Sequence, residues 1–410
     1  MGLHSSMNAG VMGLNVNATK LGTVSDNIAN SDTDGYKRAT TDFHSIVTNQ
    51  TNSGSYSAGG VRATTGRAIS DEGALIASSN PLDIAVSGQG MIPVTDVVSR
   101  DNPAADRPMM MTSTGAFRED KDGYMRTDSG LQLLGWPVDE TGNVGGVSRE
   151  SGLSLEPVRI FGFDYTSNPT TEIELGLNLP GTETQAGATG DPYEMTVEYY
   201  DQLGAAQILT MTYTPTVGGA GASNEWNLQI SDTASGGALV GEYTLEFTAT
   251  GATAGLLNNV TTVSGGAYNP ATGEIPLALP HGTVNMDIGA PNTQGHITQF
   301  GSTFSPSDVT KDGTPVGTLA RVEVTDLGFV EAVYDSGYRR PLYQIPVVTV
   351  PNMNGLIAGD NQTFELSSRS GDMYLWDAGQ GPSGVVLGYT KEASTSDIAT
   401  ELTELIKTQR

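Results

Sequence analysis

Met7, Leu14, Leu21 and Ile28 recur at seven-residue intervals at the start of this chain, with Val11, Ala18 and Val24 filling in beside them. At the far end Ile398, Leu402, Leu405 and Ile406 fall at i, i+4, i+7 and i+8. Each pattern lays an apolar stripe along one face of a helix. A stripe at heptad spacing calls for a second helix against it, and neither short helix can bury its own. The two stripes stand almost a whole chain apart. The chain therefore reads as a subunit whose termini pack on each other or on a neighbouring copy, with β structure strung between them.

A length of 410 residues suggests two to four domains. Gly supplies 52 residues and charged residues only 16%, so turns and loops are expected to be many. There are no cysteines, which rules out disulfides and Cys-based metal or thiol chemistry. The opening Met1-Gly2-Leu3-His4-Ser5-Ser6 lacks the basic and apolar regions of a secretory signal, and no apolar run is long enough to span a bilayer. The expectation is a chain that stays in the cytosol or is exported without cleavage, with no membrane insertion. The formal charge is −26, and between Arg159 and Lys311 there is no Lys or Arg against fifteen Asp and Glu. Nucleic-acid binding needs basic patches and is disfavoured. The acidic stretch reads either as an outward, self-repelling domain that stays soluble when crowded or as an ordinary acidic surface.

The first helix is expected over 1–30. Gly10, Gly13 and Gly22 each weaken it by about 1 kcal/mol relative to Ala, which predicts poor order until it packs. Asx and Gly residues in Ser31-Asp32-Thr33-Asp34-Gly35-Tyr36 stop it. Residues 31–72 read as a linker with short extended pieces, and Asn52 to Gly66 has the composition of a flexible joint. From 73 to 150 alternating segments such as Leu82, Ile84 and Val86, with turns at Ser87-Gly88-Gln89-Gly90 and Lys121-Asp122-Gly123, predict antiparallel hairpins ending at Leu131 to Trp136. Residues 151–292 form a second, acidic β module. Its clean alternations are Ile173 to Leu179, Met195 to Tyr199, Trp226 to Ile230 and Tyr243 to Phe247, which suggest a sandwich or barrel. Residues 293–392 return to the first style. Residues 393–410 form the last helix, with Ser394 and Asp397 as variant capping-box residues. The fold class is mainly β with terminal coiled-coil-type helices and antiparallel β domains between them. The simplest arrangement is nested: 73–150 and 293–392 share an inner domain, and the acidic module is an outer insertion.

Enzyme signatures are poor. The histidines, His4, His44, His281 and His296, sit in no ligand spacing. Gly88-x-Gly90 lacks the third glycine and following helix of a dinucleotide fingerprint and reads as a tight turn. Asp32-x-Asp34-Gly35 lacks most ligands of a calcium loop and reads as helix termination. Trp136, Trp226 and Trp376 read as core anchors. No catalytic residue, cofactor or metal is expected.

Several segments carry a resemblance. The helix exit reads Ser25-Asp26-Asn27-Ile28-Ala29-Asn30-Ser31-Asp32-Thr33-Asp34-Gly35-Tyr36-Lys37-Arg38. Then come Thr114-Gly115-Ala116-Phe117-Arg118, Asp122-Gly123-Tyr124 and Leu133-Leu134-Gly135-Trp136-Pro137. Pro341-Leu342-Tyr343-Gln344-Ile345, Asn354-Gly355-Leu356, Ser367-Ser368 and Ser370-Gly371 follow. In this order they resemble the bacterial flagellar rod and hook axial proteins, with the hook type nearest because rod types lack a large insert. The resemblance implies a structural subunit that self-assembles into a short curved helical tube, a universal joint transmitting torque from rod to filament. It implies terminal helices lining a central channel, with Met7, Val11, Leu14, Ala18, Leu21, Ile28, Ile398, Leu402, Leu405 and Ile406 as the packing interface. Implied partners are further copies of the chain, the flagellar rod, the hook cap, the hook-filament junction and the type III export apparatus. The implied location is the flagellum outside the cell. Phe43-His44-Ser45-Ile46-Val47 is similar to the family's export-gate element, with Phe43 and Val47 as its anchors. In the family the last helix runs on past a Gln-Arg pair, whereas this sequence stops at Gln409-Arg410; the expectation is either a truncated chain or an unusually short inner helix, with an incomplete channel-lining layer in both cases.

The alternatives are a distal rod protein of the same family, a surface adhesin or tail-fibre-like module using the acidic insert, and, more weakly, a polysaccharide-acting enzyme. Hollow tubes of concentrated protein would single out the first reading, and discrete ligand-binding particles the adhesin.

Overall fold

The computed structural model describes residues 2–47 and 58–409, with side chains from His4 onward. The chain divides into two compact units, one of Met1–Phe163, Ala320–Val333 and Arg339–Arg410, the other of Asp164–Leu319 and Tyr334–Tyr338. The bounds expected for the second β module, 151 and 292, do not coincide with this division. Residues up to Phe163 stay with the first unit because Glu156–Pro157 pairs with Leu134 and Gly135, and Leu155, Val158 and Ile160 are buried. At the other end Ile297–Gln299 and Ser305–Lys311 both pair with Glu172–Leu179 and extend the second unit.

In the first unit the first helix, α1, spans Gly2–Ala29 without interruption. Its exit is a pair of turns in which Asn30 and Thr33 accept backbone hydrogen bonds and Gly35 sits at φ 72. The Asx-Gly run thus terminates the helix. The following segment is more ordered than a linker: β1 (Ala39–Ser45) and β2 (Val61–Arg67) pair antiparallel from Ala39↔Arg67 to Ser45↔Val61. Part of the stretch from Asn52 to Gly66, residues 52–57, lies outside the described residues.

The two β regions flanking the insert share sheets. Val385–Leu387 pairs with Asp83–Ser87, Phe364–Glu365 meets Met110–Thr112 at Met111, and Arg339–Gln344 continues Leu131–Pro137 at Gln344↔Trp136. Interleaving of this kind makes one core from distant sequence. Trp136 sits fully buried in it with Met91, Met111, Leu155, Phe364 and Leu375. Trp376 differs from the expected anchor. It is half-buried on a two-stranded ribbon, and its indole donates to Thr349 Oγ1 at 3.0 Å. Gly90 shows why its turn is tight: φ is 121, and a Cβ there would lie 2.2 Å from a Val347 methyl.

The second unit is a sandwich. One sheet is a five-stranded antiparallel meander, Tyr193–Tyr200, Ala206–Pro215, Glu225–Asp232, Ala238–Phe247 and Leu257–Ser264. Met195, Val197 and Tyr199, then Trp226, Leu228 and Ile230, alternate into a core shared with Ile173, Leu175, Leu177 and Leu179 of the opposing sheet. One strand departs from the antiparallel scheme. Glu172–Leu179 runs parallel to Gly282–Asp287 and to Ile297–Gln299. Parallel neighbours need a long crossover, and here the entire meander serves as that connection.

Candidate assembly interface

α1 has two unlike faces. At roughly 100° per residue, Val16, Lys20, Val24 and Asn27 fall on one side, and Met7, Val11, Leu14 and Ala18 fall opposite. The first side faces the protein's own body. Val16 and Val24 are buried, and Asn27 is 1% exposed. The second side is bare: Met7 is 62% exposed, Val11 55% and Leu14 71%, and Ala18 is exposed too. Leu21 and Ile28 are half-buried. A seven-residue repeat slips by about 20° per heptad on a straight helix, so these later members of the stripe rotate toward the covered side.

Asn27 ties α1 to β1. Its Nδ2 donates to the Ala39 carbonyl at 2.9 Å, and its Oδ1 accepts from Ala39 N at 2.8 Å and from the Tyr36 hydroxyl at 3.1 Å. Burial pushes the Tyr36 phenol up to about 12, outweighing the opposing Arg67 guanidinium 4.9 Å from its ring. The hydroxyl therefore stays protonated and keeps donating to Asn27 and to Asp26.

α2 (Ile398–Gln409) lies against α1. Asp397 caps it by accepting from Thr400 N at 2.8 Å. Ser394 is not part of this cap; it accepts from Ser396 N ahead of the helix. The helices are joined by polar groups. Lys20 Nζ meets Glu404 Oε2 at 2.9 Å, Arg38 Nε donates to the buried Glu401, and Ser396 Oγ donates to the Asn27 carbonyl at 2.9 Å. Lys20 and Lys407 together hold the Glu404 carboxyl at about 2. Ile398 and Leu402 are each 44% exposed and Ile406 60%, while Leu405 is half-buried. The heptad stripes thus do not zip together inside one chain. Charges and hydrogen bonds join the helices, and both apolar stripes stay open.

The stripes are visible in the sequence, whereas the polar junction of Lys20, Asn27, Arg38, Glu401 and Glu404 is not visible there as a set. The spacing of Glu401, Glu404 and Lys407 at i, i+3 and i+6 was its one visible signal. Phe43 lies on β1 opposite Ala63, 46% exposed and 5.8 Å from Lys20 Nζ, and Val47 is 85% exposed. Among the described residues no group of three or more His, Cys, Asp or Glu is arranged to hold a metal, and no helix is long and apolar enough to cross a membrane.

Comparison with known proteins follows the same division. Residues 164–314 match the family described as "Flagellar basal body protein FlaE D2 domain", and residues 7–37 match "Flagella basal body rod protein". The flagellar hook protein FlgE of Brucella suis is 31% identical over 100% of this chain and 94% of its own length. That of Rhizobium meliloti is 31% identical with the same coverage. A solved structure of the Helicobacter pylori flagellar hook protein FlgE2 aligns over 76% of this chain and 98% of that one, at 11% identity and a TM-score of 0.49. With 31% identity over its full length to the Brucella suis and Rhizobium meliloti proteins, the chain belongs to the flagellar hook protein family.

Proposed function

We propose that this chain is the structural subunit of a flagellar hook and polymerises through the exposed stripes of its terminal helices. The observation that carries this reading is the two-faced α1: one face is covered by the chain itself, and the opposite face leaves Met7, Val11 and Leu14 in water. Transfer of such side chains out of water contributes about 25 cal/mol per Å², a gain that packing against a neighbouring copy realises. The helix glycines support the same reading. A Cβ at Gly10, Gly13 or Gly22 would meet nothing within 4 Å among the described residues, so none of these requires glycine there. Close approach of a neighbouring helix would. Leu21, Ile28 and Leu405, already half-buried, complete the edge of this surface.

In this reading the partners are copies of the chain, then the rod, the cap, the junction and the type III export apparatus, and the site of action is the hook outside the cell. Phe43 and Val47 are accessible to an export gate. The polymer carries torque as a joint, and no catalytic chemistry is involved. The test is negative-stain microscopy of concentrated full-length protein. Hollow tubes are expected from the unaltered chain and none from Leu14→Asp or Leu402→Asp, with the β units of both variants still folded. Discrete particles from the unaltered chain, or normal tubes from both variants, would refute it.

A further inference from the structure

We propose that an arginine-lined groove in the first unit receives the glutamate face of the second unit of another copy of this chain. The idea rests on the self-assembly reading and names a contact that helix packing does not supply. The groove is open, about 680 Å³, and lined by Arg100, Arg107 and Arg159 together with Tyr124 and Tyr343. The Tyr124 ring lies 4.5 Å from the Arg100 guanidinium and 5.2 Å from that of Arg159. Arg100 is already matched by Asp101, Asp120 and Asp122 at 3.4, 3.5 and 3.7 Å. Arg107 and Arg159 are held differently. Arg107 donates to the carbonyls of Leu155 and Asn102, and Arg159 to that of Asp122. Neither forms an ion pair among the described residues, although Asp101 and Glu156 also line the groove. These are two oriented cations without a counter-charge, in a chain of net charge −26.

The second unit carries the opposite problem. The outer face of its meander presents Glu194, Glu198, Glu225, Glu242 and Glu246, alternating with the core residues. Glu225 and Glu246 stand directly opposite each other in the antiparallel register. Like charges so placed destabilise a sheet. Lys311 reaches this face at Glu198, 3.5 Å away, and residues 160–310 contain no other Lys or Arg to neutralise it. A long polyanion such as nucleic acid would be repelled by the chain as a whole. A second copy brings a matching acidic face in equal number with every groove. The contact is head-to-tail, because groove and glutamate face are different patches of one subunit.

The test uses two full-length variants, Arg107→Glu with Arg159→Glu and Glu225→Lys with Glu246→Lys, examined alone and as an equimolar mixture. Association is followed by sedimentation velocity, folding by circular dichroism and tube formation by negative stain. Each variant alone is expected to associate at least about tenfold more weakly than the unaltered chain. The mixture is expected to recover, because each reversed surface then meets its complement on the other copy. Arg107→Gln with Arg159→Gln provides a neutral version should charge reversal impair folding, and it is expected to weaken association by less. The proposal is overturned if either reversed variant associates normally. It is also overturned if the mixture fails to recover while one chain carrying all four changes does, since that marks a contact within one chain. Normal tubes from the reversed variants sink this contact and leave the tube reading intact. Recovery of association without any tubes does the opposite.

Discussion

Lys20 Nζ and Glu404 Oε2 lie 2.9 Å apart across 384 residues of chain, and this contact fastens α2 to the polar flank of α1. Glu404 is depressed from an ordinary 4.5 to about 2 by Lys20 and Lys407. A carboxyl depressed in the folded state contributes stability that is complete above its unfolded value and lost as pH falls through the folded one. The window is therefore about pH 4.5 to 2. Amide exchange in Ile398–Gln409, corrected for intrinsic rates, should accelerate across that window while the β cores stay protected. In Lys20→Met the helix should exchange faster at neutral pH and show a smaller acid step. Equal protection of α2 in both proteins at pH 7 would show that the ion pair does not hold it.

The covered and open faces of α1 predict opposite outcomes for equally small changes. Asn27→Ala strands the Ala39 backbone N–H and carbonyl, while the Tyr36 hydroxyl keeps Asp26 as acceptor, and the loss costs about 1–3 kcal/mol. Leu14→Asp alters a side chain that is 71% exposed, and such surface changes stay within about 0.5 kcal/mol. Urea titration of the two proteins in monomeric form checks the contrast. A larger loss from Leu14→Asp than from Asn27→Ala would mean that the faces have been assigned the wrong way round.

Legibility in the sequence followed periodicity. Strands such as Met195 to Tyr199 and Trp226 to Ile230 alternate without interruption, and each apolar member is buried. The heptad stripe was equally plain, because seven-residue spacing is a property of the sequence alone. What that spacing cannot specify is the partner, and the chain covers the opposite face of α1 instead, with Val16, Val24 and Asn27. The residues of the polar junction carry no period. Lys20, Arg38, Glu401 and Glu404 come together only once the termini are adjacent, and any of them alone reads as a solvated charge. The edges of the insert differ from 151 and 292 because they are set by strand pairing, a tertiary fact: Glu156–Pro157 joins the first unit, and Ile297–Gln299 and Ser305–Lys311 join the second. The parallel strands beside Glu172–Leu179 were hidden because alternation is the same in either direction.

A buried ion pair anchors the segment after α1. Lys37 Nζ lies 2.8 Å from Glu392 Oε1, and both side chains are 3% exposed. Lys37 also donates to the Asp71 carbonyl at 2.6 Å, and Glu392 Oε1 accepts from Gly73 N at 2.6 Å. Breaking such a pair from one side leaves an uncompensated charge and costs about 3–5 kcal/mol. Lys37→Met should therefore be severely destabilising, whereas Lys37→Met with Glu392→Leu should recover most of the loss. The comparison requires a full mutant cycle by denaturant titration. Additive losses in the double variant would show that the two charges are not energetically coupled.

Each unit has its own core, so damage to one should melt it separately. Trp226 is fully buried among Tyr193, Leu228 and Leu245 of the second unit, with its ring 6.0 Å from that of Tyr193. Its indole nitrogen has no hydrogen-bond partner among the described residues. What Trp226 supplies is therefore volume and apolar contact. Trp226→Ala should cost the second unit about 3–5 kcal/mol, and Trp226→Phe clearly less because no hydrogen bond is lost and most of the space stays filled. Scanning calorimetry of the full-length chain should show one transition moving down and the other staying in place, the behaviour expected of multidomain unfolding. A common downward shift of the whole profile would mean that the two units fold as one cooperative body.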